Sequence, residues 1–241
     1  MIKFEDVSIS YQNEDVLEHF NLTIEQGEFL TVIGSSGCGK TTMLKLINGL
    51  LLPQSGRVLI DDADTASLDL IALRRQIGYV IQEIGLFPHM NIRRNIAYVG
   101  HLERHPDQSF LDKRVEELAS LVALEPSMLE RYPNELSGGQ RQRVGIARAL
   151  LMKPRILLMD EPFGAVDEIT RQKLQDEILK IYREMSCTIV FVTHDIKEAL
   201  KLGSRVLIMK DGQVIQNDIP TQILKDPATD FVSQLIGERK E

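Results

Sequence analysis

A chain of 241 residues with 43% hydrophobic and 26% charged side chains can bury one substantial core, or a core with a smaller attached lobe, and has the composition of an ordinary globular protein. Its net charge of −7 speaks against a broad nucleic-acid footprint, which needs clustered Lys and Arg, and its 2 cysteines, Cys38 and Cys187, are too far apart for metal-ligand spacing or a disulfide framework. No apolar run is long enough to cross a bilayer, the stretch at Leu50 to Leu52 being bounded by Asn48 and Pro53, and the start MIKFEDVSIS has no signal-peptide pattern, so a cytosolic chain is expected.

Apolar residues alternate at Ile2 and Phe4, at Val7, Ile9 and Tyr11, and at Leu22 and Ile24, the period of half-buried strands, so an antiparallel portion is predicted first. Phe29 to Ile33 (FLTVI) reads as a buried strand, and Thr41 to Leu50 as a helix with Met43, Leu44, Leu46, Ile47 and Leu50 at helical spacing. Between them stand Gly34, Ser35, Ser36, Gly37, Cys38, Gly39 and Lys40, and the helix opens on Thr41 and Thr42. Glycines at 34, 37 and 39 let successive N–H groups converge on anionic oxygens, with the positive end of the following helix behind them. Lys40 adds a point charge for terminal phosphates, and the Thr41 hydroxyl can ligand a magnesium ion. The strand before, the helix after and the adjacent Lys-Thr pair are what separate this loop from a Gly-rich turn with no nucleotide role.

Further strands are predicted at Gly56 to Ile60 and Ile77 to Gln82. From about Pro88 to Lys153 the pattern turns helical: Leu111, Val115, Leu118, Ala119 and Val122 share one face, and a second helix, from about Arg141 to Leu151, carries Val144, Ile146, Ala147, Leu150 and Leu151. Strands return at Ile156 to Met159, Thr188 to Val192 and Val206 to Met209, with a helix over Ile169 to Met185. Apolar strands alternating with helices predict a parallel sheet covered on both faces, and Asp211-Gly212, between VLIMK and QVIQ, predicts a hairpin turn. There is no internal repeat, low-complexity tract or flexible linker, and Gly237 to Glu241 is expected to be a charged tail. The fold class predicted is α/β: a P-loop NTPase core with a mainly parallel sheet, an N-terminal antiparallel β subdomain and an inserted α-helical subdomain at about 88–153, all within one domain, 1–241.

Ile156-Leu-Leu-Met-Asp160-Glu161 is an apolar strand ending in paired carboxylates. Phosphoryl transfer needs one carboxylate toward the metal and one toward the attacking water, so Asp160 is read as the magnesium partner and Glu161 as the general base. Leu136-Ser137-Gly138-Gly139-Gln140 precedes a helix, and its hydroxyl and backbone N–H groups make a second anion-binding terminus. One nucleotide hardly needs two such termini in a single chain, so the economical reading is that Ser137, Gly138, Gly139 and Gln140 serve the nucleotide of a second copy.

With these motifs in this order, the chain resembles the ATP-binding subunits of ABC transporters over essentially its whole length. The resemblance implies that LSGGQ is the family signature and that Gln82 is the glutamine between core and helical subdomain, close to both ATP and magnesium. It implies that His194 is the switch histidine, that Asp167 in Gly164-Ala-Val-Asp167 belongs to the loop crossing to the partner, and that Tyr11, with Val16, meets the adenine side of ATP. The cofactors implied are ATP and Mg2+. The partners implied are a second identical chain, membrane-spanning permease subunits and, indirectly, an extracellular or periplasmic solute-binding protein, with no nucleic acid; the place is the cytoplasmic face of the cell membrane, held through the permease. Leu86, Phe87 and Pro88 are expected, with the helical block, to form the groove for a short permease helix.

Gln82-Glu-Ile-Gly-Leu-Phe-Pro-His89-Met90, Asp160-Glu-Pro-Phe-Gly-Ala-Val-Asp167 and Ile223-Leu-Lys-Asp-Pro-Ala-Thr-Asp-Phe-Val232 are similar to importers of quaternary amines such as glycine betaine, carnitine or choline. Many members of that subgroup continue into paired regulatory CBS domains, so this chain is expected to be either a short member or a truncated one. An importer ATPase for another solute such as an amino acid, and a soluble ABC-type ATPase with a protein or nucleic-acid client, are the competing readings; a sensor without turnover is disfavoured by Glu161 and His194 together. Cys38 in the phosphate loop invites a redox reading, but a position that merely tolerates small residues is the one adopted.

Overall fold

The structure, a computed structural model, describes residues 1–12, 14–82, 84–103, 106–164, 166–185 and 187–237. Glu83, Ala165 and the tail from 238 lie outside the described residues. The chain runs through β1 (Ile2–Tyr11), β2 (Glu14–Ile24), β3 (Phe29–Gly34), α1 (Lys40–Ile47), β4 (Ser55–Ile60), β5 (Ala63–Asp64), α2 (Leu70–Gln76) and β6 (Ile77–Val80). It continues with α3 (Ile92–His101), α4 (Gln108–Leu121), α5 (Gly138–Leu150), β7 (Ile156–Asp160) and α6 (Glu168–Met185). The remaining elements are β8 (Thr188–Val192), α7 (Ile196–Leu202), β9 (Arg205–Lys210), β10 (Gln213–Asp218), α8 (Pro220–Lys225) and α9 (Asp230–Ile236). They form two compact units, Met1–Arg74 with the chain from Cys187 onward, and Arg75–Ser186.

In the first unit β1 lies between β2 and β4, antiparallel to both. The apolar alternation of β1 skips a step between Phe4 and Val7, and a bulge at Asp6 accounts for it: Phe4 faces Leu22, but Val7 faces Phe20. Asp6 has a φ of 52°, and its N–H donates to Asn21 Oδ1. The extra residue returns Val7 and Ile9 to the buried face. Tyr11, in phase with them in sequence, is instead 43% exposed at the strand end.

The other sheet of this unit places β3 between β8 and β9, parallel to both, with β10 antiparallel on β9. All of β8 and all of β3 but its last residue are buried, which is why both read as unbroken apolar runs. Thr31 is the polar member of β3, and its hydroxyl donates to Ala199 O at 3.0 Å. The β9–β10 turn falls on Asp211 and Gly212, whose φ values of 49° and 77° suit a tight hairpin. Ile33, Val206 and Ile208 pack with Ala199, Ile223 and Val232 from the short helices α7, α8 and α9.

In the second unit β6 and β7 pair in parallel. Leu111, Val115, Leu118 and Ala119 of α4 and Val144, Ile146, Ala147 and Leu150 of α5 are buried, the faces their spacing predicts. Each fully buried Leu or Val contributes about 1.5–3 kcal/mol relative to exposure. Asn95 of α3 is fully buried and organises residues 87–91: its Oδ1 accepts from Phe87 N, and its Nδ2 donates to the carbonyls of Phe87, Met90 and Asn91.

Several boundaries differ from expectation. The helix after the phosphate loop stops at Ile47, short of Leu50, because Gly49 turns left-handed at φ 65° and Arg74 binds the carbonyls of Asn48 and Gly49. The helix α5 starts at Gly138 rather than near Arg141, because Ser137 caps it. The strand β6 ends at Val80, leaving Gln82 in the loop. Helices α2, α7, α8 and α9 were not foreseen, each having only 6 or 7 residues, too few to show a period, whereas α3 lies in the block read as helical but was not placed individually.

Candidate functional site

The phosphate loop joins β3 to α1 in the first unit. Gly37 and Gly39 take φ values of 80° and 95°, and Gly39 is the N-cap of α1. Lys40 is buried, and its ammonium donates to Gly34 O at 2.9 Å and Ser35 O at 2.8 Å, with Cys38 Sγ at 3.7 Å. The cation is thus folded over its own loop, where the oxygens of an incoming phosphate would compete for it. Cys38 is 2% exposed. Ser36 and Gly37 are exposed, Ser35 and Thr41 partly so, and Thr42 is buried on α1.

Gly39 has a second reason to be glycine. A methyl group there would lie 2.7 Å from Leu17 Cδ2 and 3.0 Å from Val16 O. The same contact brings half-buried Val16, near the start of β2, against the loop. Gly39→Ala combines a positive φ with that collision and is expected to cost about 1–3 kcal/mol, read as a lower thermal midpoint, together with weaker binding of a triphosphate. An unchanged midpoint would show that Leu17 yields freely. Tyr11 stands exposed at the end of β1.

His194 owes its place to sheet register. Val32 of β3 pairs with Val192 of β8, so Gly34 and His194, each two residues further along parallel strands, leave the sheet at the same end. Thr193 N donates to Val32 O at 3.1 Å, and the buried Thr193 hydroxyl donates to Glu198 Oε2 at 2.6 Å. Asp195 then caps α7 through Lys197 N. His194 itself is exposed. Phosphate ligands of open α/β sheets sit at this carboxyl end of the strands.

The second unit repeats the arrangement. Val80 of β6 pairs with Met159 of β7, so Gln82 and Glu161 leave their parallel strands together, and Gln82 Nε2 lies 3.4 Å from Glu161 Oε2. Glu161 has a φ of 47°, a left-handed conformation that a non-glycine residue holds only when its surroundings impose it. Gly164 N donates to the Glu161 carbonyl, and Phe163 and Val166 are buried, which anchors the turn. Asp160, the last residue of β7, is 4% exposed. Burial, with the Asp160 carboxylate adding to it, pushes the nearby Tyr79 phenol up to about 12.

Ser137 and Gln140 form a reciprocal cap on α5: Ser137 Oγ accepts from Gln140 N at 3.3 Å, and Gln140 Oε1 accepts from Ser137 N at 2.8 Å. Expectation had the hydroxyl of Ser137 open toward a ligand. Its acceptor role is instead taken by its own helix, which still leaves the O–H proton able to donate. Gly138 and Gly139 form the first turn. Asp167 also serves its own chain, accepting from Thr170 N at 3.0 Å at the start of α6, and that N–H holds its carboxyl below the usual range.

Sequence reasoning missed the arginines of α5. Arg143 donates to Ala123 O and Thr170 Oγ1, and Arg148 donates to Ile84 O at 2.7 Å and Gly85 O at 3.0 Å. Burial lowers the Arg148 pKa. The available signal was a cation set among the apolar residues Val144, Ala147 and Leu151.

Among the described residues no helix is long and apolar enough to cross a membrane. The ABC transporter family model matches residues 17–164. The chain is 49% identical over 241 residues, 100% of its length, to the glycine betaine/carnitine/choline transport ATP-binding protein OpuCA of Bacillus subtilis strain 168, and spans 63% of that relative. It is 46% identical over 237 residues to the glycine betaine uptake system ATP-binding protein YehX of Escherichia coli strain K12, covering 98% of the chain and 77% of the relative. The solved dimer of the ATP-binding cassette MJ0796 in a post-hydrolysis state, bound to ADP and Pi, superposes with a TM-score of 0.86 at 37% identity, covering 91% of this chain and 99% of that one.

Proposed function

The chain belongs to the ABC transporter family, and from that premise we propose that it is the ATP-hydrolysing subunit of an importer of quaternary amines such as glycine betaine, carnitine or choline. Its fold is that of the ABC ATPase cassettes. What carries the reading to this solute class is the degree of full-length identity, 45–49% to the glycine betaine, carnitine, choline and osmoprotectant systems against 39–40% to spermidine/putrescine systems over the same span.

Two copies hold two ATP molecules at their shared face. Residues 34–42 of one copy cradle the phosphates, Tyr11 and Val16 meet the adenine side, and residues 137–140 with Asp167 of the other copy close over the γ-phosphate. The cassette dimer bound to ADP and Pi supports this arrangement. ATP drives closure because its γ-phosphate makes contacts that ADP lacks, and a ligand shifts a conformational equilibrium only through differential affinity. Glu161 orients and deprotonates the attacking water, while His194 donates a hydrogen bond to the γ-phosphate and holds the in-line geometry.

Thr41, Gln82 and Asp160 offer a hydroxyl, an amide carbonyl and a carboxylate, an all-oxygen set that suits magnesium. When bound, it neutralises charge on the terminal phosphates. The helical subdomain at 88–153, with residues 86–88, receives a short helix of the permease and so holds the chain at the cytoplasmic face of the membrane. Half-buried Phe87, its ring 4.4 Å from Tyr98, and exposed Pro88 give that segment a firm but accessible surface.

The test is reconstitution with a permease and solute-binding protein of a quaternary-amine importer in ATP-loaded proteoliposomes. Accumulation of labelled glycine betaine, carnitine or choline, abolished by Glu161→Gln, is the expected result. ATP turnover without affinity for any permease would favour a soluble ATPase instead.

A further inference from the structure

We propose that Arg148 is the positioning residue that couples the segment following Gln82 to the helix headed by Ser137. The inference rests on the reading that Gln82 and residues 137–140 act on ATP.

One face of α5 grips two consecutive residues beyond Gln82. Arg148 donates through both terminal nitrogens of its guanidinium, to Ile84 O at 2.7 Å and Gly85 O at 3.0 Å. One turn earlier, Gly145 presents no side chain, and a methyl group there would lie 2.9 Å from Ile84 Cγ2. Ile84 therefore rests on bare helix backbone, and the guanidinium fixes its carbonyl from the next turn. Two carbonyls in sequence match the planar fork of Arg in a way the single ammonium of Lys does not.

The far end of the same segment is also held. Asn95 of α3 binds Phe87 N, Phe87 O, Met90 O and Asn91 O. Gln82 stands 3.4 Å from the Glu161 carboxylate, two residues before the segment at 84–91 that α5 and α3 both secure. The helix α5 runs from Gly138 to Leu150 without interruption and is locked at its start by the Ser137–Gln140 cap. A displacement of the segment at 84–85 must move α5 as a rod or break both guanidinium bonds. Breaking them would leave a half-buried guanidinium short of two acceptors, which favours moving the rod. The position of Gln82, which reports on the phosphates of one copy, is in this way transmitted to Ser137, Gly138 and Gly139, which face the nucleotide of the other.

The test is a double-mutant cycle in MgATP turnover with Arg148→Gln and Gln82→Ala. Arg148→Gln is expected to lower kcat by about tenfold or more with ATP KM little changed, Gln82→Ala to lower kcat at least as far, and the double variant to fall no further than the worse single, because both break the same link. Additive losses of about a hundredfold, or an Arg148→Gln variant with unchanged kcat, would overturn the coupling. If Arg148→Gln does not fold, Gly145→Ala displaces Ile84 by a different route and is expected to show the same non-additivity with Gln82→Ala; additivity there overturns the proposal equally. A wild-type chain with no MgATP turnover would sink the ATPase reading and the coupling together, whereas an active wild type with additive variants would sink the coupling alone.

Discussion

Glu161→Gln is expected to lower ATP turnover by about 10²- to 10⁴-fold, the usual contribution of a positioned base, while ATP affinity is kept and the closed dimer accumulates. The substitution is close to isosteric and retains an oxygen that can accept from Gln82 Nε2, so the contact now at 3.4 Å can persist. What it removes is the ability to take a proton from water, and one negative charge facing the triphosphate. Loss of that charge favours the bound state at the same time as it blocks the chemistry. The residue is already held in a left-handed turn at φ 47°, and neither Glu nor Gln has an advantage there, so stability should change little. Steady-state hydrolysis and sedimentation with MgATP check both halves of the expectation. Turnover near the wild-type rate would remove Glu161 from the catalytic role, and a variant that stays monomeric with MgATP bound would overturn the two-copy arrangement.

Lys40→Ala is expected to lose nucleotide binding and turnover together. The ammonium is the buried charge of the loop, held by Gly34 O and Ser35 O, and a charge-assisted hydrogen bond to a phosphate oxygen contributes about 1.5–3 kcal/mol, or roughly 10- to 100-fold in Kd. Removing it also leaves two loop carbonyls without that donor, so the loop loses its preformed shape as well as its charge. Calorimetric titration with MgATP should show affinity weakened by at least that factor, with the α-helical circular dichroism signal retained. Tight ATP binding by a folded Lys40→Ala chain would count against the assignment of this loop.

The parts of the site that were legible beforehand share a property: each is a short contiguous stretch whose chemistry is local. Residues 34–42 announce themselves because a left-handed backbone at 37 and 39 demands glycine, and because an apolar run and a helical period flank them. Residues 137–140 announce a helix start because a Ser followed three residues later by Gln satisfies its first amides, although the cap also engages the hydroxyl that expectation had left open. Asp160 and Glu161 are visible as the polar end of an apolar strand. The short helices escaped notice because a single turn or two carries no period, and the exposure of Tyr11 was invisible to an alternation count because the residue keeps the phase of Val7 and Ile9 but stands at the end of the strand.

By itself, then, the order of residues determined the type of most elements, the phosphate loop, the capped start of α5 and the paired carboxylates, since these depend on backbone preference and side-chain spacing within a dozen residues. Only the tertiary structure decided that β3 lies between β8 and β9, which brings Gly34 and His194 out at one end of a sheet, and that Arg148 and Gly145 meet Ile84 and Gly85 some sixty residues upstream. The reason is physical: a strand's partner and a buried donor's acceptor are chosen by whichever groups folding leaves unpaired nearby, and distance along the chain carries no mark of that choice.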